Sequence, residues 1–351
     1  MNLIDNITAG INRKIDGFPG EFFTDHNGAP EALQSVLPGF LAGGKRIRPL
    51  LFLLSYYGYG GEPDCGEDEA ALGIELLHNF ALIHDDLIDE SDLRRDRPSL
   101  HHSLAVPAGK EAGRYLAIVA GDILFAEGVR RFHLLRIDQK RMKEAFSFLM
   151  KVAVQTGFGQ FREAAHASVT CSGGDYNGIL SLYDQKTGRY TFCGPLVSGA
   201  VSAGAGSGEI VLLEELGIVL GRAYQALDDL DDLLTLSMSS SEGEALRTAF
   251  SMPARHCCEQ ADQPGREFLM SLEGKKRLSA KNATKLAELL SSTGTVEFIR
   301  DYVKLACEKS GGILKRLEIS AEERAALCAL AGKVLRNREW LKENTKSRCQ
   351  D

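Results

Sequence analysis

The sequence predicts an all-α protein, and three observations support this fold class. Apolar residues recur at steps of three and four, as in Leu76, Phe80 and Ile83, which is the period of a helix. Alternating apolar and polar runs bounded by hairpin turns, which would indicate strands, are absent. Clusters of glycine separate the apolar stretches and suit short connections between helices.

Five long helices are expected from this period. They are predicted at residues 67–89, 115–135, 141–154, 209–236 and 296–317. Helix connections are predicted at Gly43-Gly44, at residues 58–61, at Gly173-Gly174 and at residues 202–208. The polar stretch at residues 237–243 is predicted to be a loop.

The composition is that of an ordinary globular protein. Of 351 residues, 44% are hydrophobic and 25% are charged, and the net charge of −7 gives no sign of a nucleic-acid-binding surface. The N-terminus lacks the features of a signal peptide, and no stretch approaches the roughly 20 apolar residues of a spanning helix. We therefore expect a cytoplasmic protein. One domain is predicted over residues 1–351, with residues 1–20 and 339–351 peripheral.

Two of the predicted helices carry the pattern DDxxD, which places the first and last carboxylates one turn apart on one face. Like charges at this spacing repel unless the face is solvated or a cation lies between them. The surrounding sequence is too apolar for a solvated face, although an exposed acidic face without a ligand is the alternative. Mg²⁺ binds through one or two carboxylates plus substrate phosphates, so a magnesium–polyphosphate site is predicted. The carboxylates concerned are Asp85, Asp86, Asp89, Asp228, Asp229 and Asp232.

Each acidic cluster ends a stripe along one helix face. The two stripes have the same spacing: His78, Leu82, Asp85 and Asp89 in the first, and Gly221, Gln225, Asp228 and Asp232 in the second. Two such helices facing each other across a cavity would bring their carboxylates together at one end.

Basic residues near these clusters suggest a site for a further anion. Guanidinium groups bind phosphate bidentately, and lysines bind it as point charges. An exposed basic surface is the alternative for each group taken alone. The groups are Lys45, Arg46 and Arg48, the pair Arg94-Arg95, and the isolated Lys186-Thr187.

Together these elements resemble the trans-isoprenyl diphosphate synthases of the polyprenyl synthetase family. The matching motifs occur in the same order as in the family, and the resemblance covers the chain from Gly44 to about Arg338. Seven motifs in the same order are a specific signal. The matching elements are residues 44–49 (GKxxRP), 82–95 (the first aspartate-rich motif), 98–101 (PxxH), 121–122 (GD), 159–160 (GQ), 186–187 (KT) and 224–232 (FQxxDDxxD).

The resemblance implies the isoprenoid-synthase fold, a bundle of long helices around a deep cavity, working as a homodimer with several Mg²⁺ ions. It also implies head-to-tail condensation of an allylic diphosphate with isopentenyl diphosphate. The implied catalytic residues are Asp85, Asp86, Asp89, Asp228 and Lys186. The metals would be held by Asp85, Asp89 and Asp228, supported by Asp86, Asp229 and Asp232. The allylic diphosphate would contact Arg94, Lys186, Thr187 and Gln225, and isopentenyl diphosphate Lys45, Arg48, His78 and Arg95.

The chain departs from the family pattern at three places. After the KT element it continues Gly188-Arg189-Tyr190, where small and apolar residues are commoner in the family. The family's usual RRG is Arg94-Arg95-Asp96 here, which adds a negative charge. The family's lysine after the second aspartate motif has no clear match. If Ser251-Met252-Pro253 is the TxP that follows this lysine, Ala249 takes the lysine position, with Arg247 nearby.

Product length is predicted from the residues five and four positions before the first motif, which shape the pocket floor in this family. They are Phe80 and Ala81 here, with Leu77 one turn deeper. An aromatic residue at the fifth position, without an insertion inside the motif, resembles archaeal-type geranylgeranyl synthases. Geranylgeranyl diphosphate is therefore the favoured product and farnesyl diphosphate the second.

Two other functions are compatible with the same fold. A terpene cyclase would share the first motif, but cyclases usually replace the second aspartate motif that is intact here. A non-catalytic partner subunit of a hetero-oligomeric synthase would usually lose aspartates, whereas this chain lacks only the loop lysine.

Overall fold

A computed structural model describes residues 2–165, 175–238, 251–272 and 278–336. Helices dominate these residues, and the predicted all-α class is confirmed. The helices are α1 (Leu3–Asp25), α2 (Glu31–Leu41), α3 (Ile47–Gly58), α4 (Glu67–Ile88), α5 (Leu100–Ala108), α6 (Lys110–Phe132), α7 (Gln139–Ala165), α8 (Tyr176–Tyr183), a π-helix (Asp184–Cys193), α9 (Gly194–Ala203), α10 (Ser207–Met238), α11 (Met252–Gln260), α12 (Gln263–Ser271), α13 (Ala280–Ser292), α14 (Thr295–Arg316) and α15 (Ala321–Arg336). Two short strands, β1 (Leu93–Arg94) and β2 (Arg97–Pro98), pair antiparallel.

The five predicted long helices are confirmed as α4, α6, α7, α10 and α14. Helix α6 begins five residues before its predicted start, and α7 continues eleven residues beyond its predicted end. The predicted connections at Gly43-Gly44 and residues 58–61 are confirmed, and the one at residues 202–208 shortens to the few residues between α9 and α10. Gly173-Gly174 and residues 239–243 of the predicted loop lie outside the described residues.

The chain divides into two compact units. The first comprises the described parts of Met1–Leu149, Pro195–Ile210 and Ile319–Ala326. In this unit α3 is apolar on nearly all sides and is therefore buried. The Ser55 hydroxyl donates a hydrogen bond to the Leu196 carbonyl of α9 at 2.6 Å. A Cβ on Gly73 of α4 would lie 2.6 Å from the carbonyl oxygen of Gly128, so glycine allows α4 and α6 to pack closely.

The second unit comprises the described parts of Met150–Gly194, Val211–Glu318 and Leu327–Asp351. Its core includes a cluster of buried side chains from α10, α11, α12 and α13. Burial of apolar side chains of this size contributes about 1.5–3 kcal/mol each. The cluster thus stabilises the part of α10 that carries the second acidic motif. Its members include Leu233, Cys257, Phe268, Leu272 and Leu286.

The single-domain organisation stays a prediction. Helix α1, which covers most of the predicted peripheral segment 1–20, buries Ile11, Ile15 and Phe18. The predicted tail at residues 339–351 and the lysine-equivalent positions Ala249 and Arg247 lie outside the described residues. Within the described ranges no helix is long and apolar enough to cross a membrane. The cytoplasmic location stays a prediction.

Candidate active site

In the first unit, the first acidic cluster lies at the C-terminal end of α4. The helix ends at Ile88, and the amide of its capping residue Asp89 donates to the Asp85 carbonyl at 2.8 Å. The C-terminal end of a helix carries a partial negative charge, which adds to that of the carboxylates and favours a cation there. Asp85 is 34% exposed and therefore accessible.

Asp86 serves a different purpose from Asp85. Its side chain is only 1% exposed and forms an ion pair with Arg94, whose Nε donates to Oδ1 at 2.9 Å and to Oδ2 at 3.2 Å. Arg94 also lies 3.9 Å from Asp85. A bidentate pair of this kind fixes the orientation of the guanidinium group. Asp86 therefore holds Arg94 beside the exposed carboxylate of Asp85.

The strands β1 and β2 form a small hairpin that the sequence analysis did not predict. Arg95 and Asp96 make its two-residue turn, with φ of 55° and 61°. Two-residue hairpin loops of type I′ require positive φ at both central residues, and aspartate tolerates this conformation better than most side chains. The conformation gives a physical reason why glycine suits the position of Asp96. The unusual Asp96 is exposed.

The hairpin brings the second arginine to the loop between α2 and α3. Arg95 Nη1 donates to the carbonyl oxygens of Ala42 at 3.0 Å and Gly43 at 3.2 Å. Gly44 lies directly beneath the same guanidinium. Two motifs that the sequence separates by almost 50 residues, GKxxRP and the arginine pair, are therefore in contact.

Arginines also surround His78, one of the predicted ligands of isopentenyl diphosphate. Burial lowers the pKa of His78 well below its usual value, and the nearby Arg48, Arg95 and Arg94 lower it further. The imidazole is therefore neutral at pH 7, and the net local charge is positive. Lys45, three residues before Arg48 in the chain, is exposed. The arrangement suits an anion such as a diphosphate.

Arg46 lies inside the same motif but has a structural role. Its guanidinium donates to Glu75 Oε1 at 2.6 Å and to the Leu41 carbonyl at 2.6 Å, and the pair is almost fully buried. Arg46 also has a left-handed backbone, with φ of 50°. Such a buried charge is stable only when it is paired and hydrogen-bonded. Arg46 thus connects α2, α3 and α4 and is not available to a substrate.

In the second unit, the π-helix carries Lys186 and Thr187. Helices of this type are rare and frequently occur at functional sites. A Cβ on Gly221 of α10 would collide with the Cα of Gly188, and a Cβ on Gly217 would lie 2.7 Å from the Cys193 amide nitrogen. The glycine of the second stripe therefore allows the backbones of α10 and the π-helix to touch.

A chain of hydrogen bonds runs through this contact. The Thr187 hydroxyl donates to Gln225 Oε1, and Gln225 Nε2 donates to Asp229 Oδ1 at 2.8 Å. The Tyr183 hydroxyl donates to Asp229 Oδ2 and accepts from the Met252 amide at 2.8 Å. The KT element, the second aspartate motif and the start of α11 are therefore joined by direct contacts. Tyr183 is a contact of this chain that nothing in the local sequence marks out.

The acidity of Asp229, in the second cluster, is strongly perturbed. Burial raises its pKa to about 7, the hydrogen bonds from Tyr183 and Gln225 oppose this rise, and Asp232 and Asp228 add to it. The rise in pKa therefore comes mainly from burial of the carboxylate, and repulsion from the two neighbouring carboxylates is the smaller contribution.

Lys186, which the resemblance assigns to the allylic diphosphate, forms an ion pair with Glu163 of α7. Both side chains are about 30% exposed, at 27% and 33%. A Cβ on Gly159 would lie 3.0 Å from Lys186 Cγ, so the GQ element lies against the same lysine. Glu163 is a partner of Lys186 that sequence reasoning missed, because nothing in its neighbourhood distinguishes it from other surface glutamates.

The predicted product-length residues lie on α4, and two of them, Leu77 and Phe80, contact α6. The Phe80 ring lies 5.2 Å from that of Phe125 and 4.7 Å from that of His84, between ring centroids. Leu77 is buried beneath, where a Cβ on Gly128 would lie 2.9 Å from its Cγ. Ala81 is half-buried. Whether these residues set product length stays a prediction.

The donor set fits magnesium. Among the residues that the structure describes, no three histidine, cysteine, aspartate or glutamate side chains come close enough together to hold a metal by themselves. Mg²⁺ does not need such a cage, since it usually binds one or two carboxylates and completes its shell with waters and phosphate oxygens. Asp85 and Asp89 in one unit, and Asp228 with Asp232 in the other, could supply such carboxylates.

Comparison with known proteins identifies the family. The sequence model of the Polyprenyl synthetase family matches residues 30–290. The short chain isoprenyl diphosphate synthase of Methanothermobacter thermautotrophicus is 29% identical over 304 residues, covering 84% of this chain and 86% of that protein. The geranylfarnesyl diphosphate synthase of Aeropyrum pernix is 29% identical over 299 residues, covering 82% and 88%. The structure of geranylgeranyl pyrophosphate synthetase from Pyrococcus horikoshii matches with a TM-score of 0.77 and 25% identity, covering 95% and 99%.

The fold and the family match define the class of protein. The chain belongs to the polyprenyl synthetase family, since the family model covers more than half of it. It is a short-chain prenyltransferase, and the predictions of family, fold and enzyme class are confirmed.

Proposed function

We propose that this prenyltransferase condenses isopentenyl diphosphate head-to-tail with an allylic diphosphate and releases pyrophosphate. The observation that carries this proposal is the group of arginines around the neutral His78, next to the carboxylates at the end of α4. The geometry supports binding of a diphosphate beside a divalent cation. The KT element and the second aspartate motif, joined through Gln225, support a second set of diphosphate contacts.

Asp85, Asp89 and Asp228 are proposed to hold Mg²⁺, with Asp86, Asp229 and Asp232 in support. Bound magnesium would stabilise the negative charge that develops on the departing pyrophosphate. The chain's own cations would share this task. Arg94, Lys186, Thr187 and Gln225 are proposed to contact the allylic diphosphate, and Lys45, Arg48, His78 and Arg95 to hold the diphosphate of isopentenyl diphosphate.

The reaction then needs orientation and the exclusion of water. The allylic carbon–oxygen bond breaks, the double bond of isopentenyl diphosphate attacks the allylic carbon, and the released pyrophosphate can accept the proton that is lost. Water must be excluded, because it would convert the allylic cation to an alcohol. Firm fixation of the non-reacting diphosphate by Arg48 and Arg95 serves orientation rather than bond breaking.

Geranylgeranyl diphosphate is proposed as the main product and farnesyl diphosphate as the second. Support comes from Phe80, which packs against Phe125 and fills space between α4 and α6. Of the relatives named above, the Pyrococcus horikoshii protein is named a geranylgeranyl pyrophosphate synthetase, which supports the twenty-carbon product. No relative named above supports farnesyl diphosphate as the second product, which rests on the pocket residues alone.

A homodimer is also proposed. Helix α6 leaves Tyr115, Ile118 and Val119 exposed, and contiguous apolar side chains of this kind often mark a protein interface. Light scattering of the purified protein should give twice the mass of the chain. The Val119→Glu variant should shift the mass towards the monomer, whereas Val106→Glu, which changes an exposed valine of α5, should not.

The function is tested with purified protein, Mg²⁺, isopentenyl diphosphate and each allylic primer in turn, followed by sizing of the products. We expect elongated diphosphates that disappear when the metal is chelated. A hydrocarbon product would instead indicate a cyclase. No product with any primer, from a folded protein, would contradict the proposal and favour a non-catalytic partner subunit.

A further inference from the structure

The hydroxyl group of Tyr183 both donates and accepts a hydrogen bond, and its two partners belong to different segments. Tyr183 is the last residue of α8, immediately before the π-helix, and is only 2% exposed. The hydroxyl donates to Asp229 Oδ2 and accepts from the Met252 amide at 2.8 Å. A buried tyrosine usually finds one partner for its hydroxyl, whereas this one joins two separate helices, α10 and α11.

The bond from Tyr183 completes the fixation of the Asp229 carboxylate. Gln225 Nε2 donates to Oδ1 at 2.8 Å, and the Tyr183 hydroxyl donates to Oδ2. Each carboxylate oxygen is thus held by a different donor, and the carboxylate cannot rotate without breaking one of these bonds. Gln225 is itself oriented by Thr187.

We propose that Tyr183 is a positioning residue that holds Asp229 in the orientation needed for metal binding by the second aspartate cluster. This proposal rests on the proposed function, in which Asp228 binds Mg²⁺ and Asp229 supports it. Tyr183 acts on the metal only through Asp229 and touches no substrate. By accepting the Met252 amide it also fixes the start of α11 relative to that carboxylate.

The expected effect is on metal affinity. Residues that orient the groups of a metal site typically contribute about 10–100-fold to metal affinity or activity, and Tyr183 orients the supporting carboxylate of Asp229. Tyr183→Phe removes the hydroxyl and keeps the ring, so packing is largely retained. Without the Tyr183 hydroxyl, only the bond from Gln225 to Oδ1 remains, and the Asp229 carboxylate can rotate about that bond.

The matched control is Tyr57→Phe. Tyr57 is also a largely buried tyrosine whose hydroxyl donates to a carboxylate, that of Glu67, at 2.9 Å. This pair lies in the first unit, and neither residue belongs to the proposed site. The control therefore removes the same kind of hydrogen bond without affecting Asp229.

The experiment titrates Mn²⁺ into the full-length protein with inorganic pyrophosphate present and follows free Mn²⁺ by electron paramagnetic resonance. We expect Tyr183→Phe to bind Mn²⁺ at least about tenfold more weakly and Tyr57→Phe to bind as the wild type does. In kinetic assays Tyr183→Phe should need more Mg²⁺ for half-maximal rate, while the KM for isopentenyl diphosphate stays unchanged.

Two further variants separate the possible failures. In an Asp229→Asn background Tyr183→Phe should add no further loss, because Tyr183 acts through Asp229. If Asp228→Ala weakens Mn²⁺ binding but Tyr183→Phe does not, the positioning role is overturned and the proposed function stands. If neither changes Mn²⁺ binding, the metal assignment itself is wrong. If Tyr183→Phe does not fold, Asp229→Asn decides, since wild-type Mn²⁺ affinity in that variant also overturns the proposal.

Discussion

Arg95 Nη2 lies only 3.0 Å from the position that a Cβ on Gly44 would occupy. The guanidinium therefore rests on the bare backbone of the loop between α2 and α3, with φ of +100° at Gly44. Because Gly44 has no side chain, the guanidinium of Arg95, which is proposed to bind a diphosphate, can lie directly against the backbone of this loop.

The contact predicts the effect of Gly44→Ala. An alanine there would be strained by its backbone, at a cost of about 1–2 kcal/mol in the free energy of unfolding, and would also displace Arg95. We expect a higher KM for isopentenyl diphosphate with little change in the KM for the allylic primer. Gly60→Ala is the control, because Gly60 also has positive φ (+80°) but nothing within 4 Å of its Cβ position. Equal KM changes in both variants would mean that backbone strain, not Arg95, is responsible.

Substitution of the aspartates tests the metal ligands. Asp85→Asn or Asp228→Asn should lower turnover by about a hundredfold or more, because charge on the departing pyrophosphate loses its stabilisation. Helical content, measured by circular dichroism, should be unchanged. The controls are Asp92→Asn, which changes an exposed aspartate paired with His102, and Asp231→Asn, at a position of the second cluster outside the proposed metal set. Near-normal turnover of either Asp85→Asn or Asp228→Asn would remove that residue from the site.

Glu163 is predicted to restrain Lys186. Because their ion pair must break before Lys186 can bind a diphosphate, Glu163→Gln should lower the KM for the allylic primer. A partly exposed pair contributes about 0.2–1 kcal/mol, so the change should be at most about fivefold. Glu214→Gln is the matched control, since Glu214 pairs with Arg189 of the same π-helix at 3.6 Å. An increase in the KM for Glu163→Gln would show instead that Glu163 orients Lys186 for binding.

Product length is predicted to respond to the residues before the first motif. Phe80→Ala should let the chain grow towards Leu77 and lengthen the product, whereas Ala81→Phe should shift it towards fifteen carbons. Loss of a fully buried phenylalanine typically costs about 3–5 kcal/mol; Phe80 is only half-buried, so a smaller cost is expected, and folded yield is measured first. Phe18→Ala, in the core of α1, is the control for that cost. If folded variants at both positions give the wild-type products, the pocket floor lies elsewhere.

The sequence was sufficient to predict the fold class and the motifs, because both depend on residues that are close together in the chain. The helical period is repeated over many turns, and the aspartates stand close together in the chain. Contacts between segments that are distant in the chain have no local sequence pattern and could not be predicted. Arg46 is one of three basic residues in a single motif, and only the structure shows that it is buried against Glu75.

The same limit applies to the second unit. Glu163 and Tyr183 are ordinary in their local sequence, and their importance comes from partners 23 and 46 positions away. The hairpin was missed because its strands have two residues each, too short for any alternation to appear. The π-helix was missed because its first turns are mostly polar and show no helical apolar period.

Because of the π-helix, the number of residues in this segment determines the side-chain directions on either side as much as the identity of those residues does. The hydrogen bonds of the π-helix close over five residues instead of the four of an α-helix, so the segment accommodates more chain per turn than its neighbours do. Deleting one residue from the π-helix would allow the segment to relax to an α-helix, and the residues on one side would rotate by about 100° relative to those on the other. Lys186 and Tyr183 would then point away from Glu163 and Asp229 although every remaining side chain is intact. Related sequences should therefore tolerate exchanges within this segment far better than gaps.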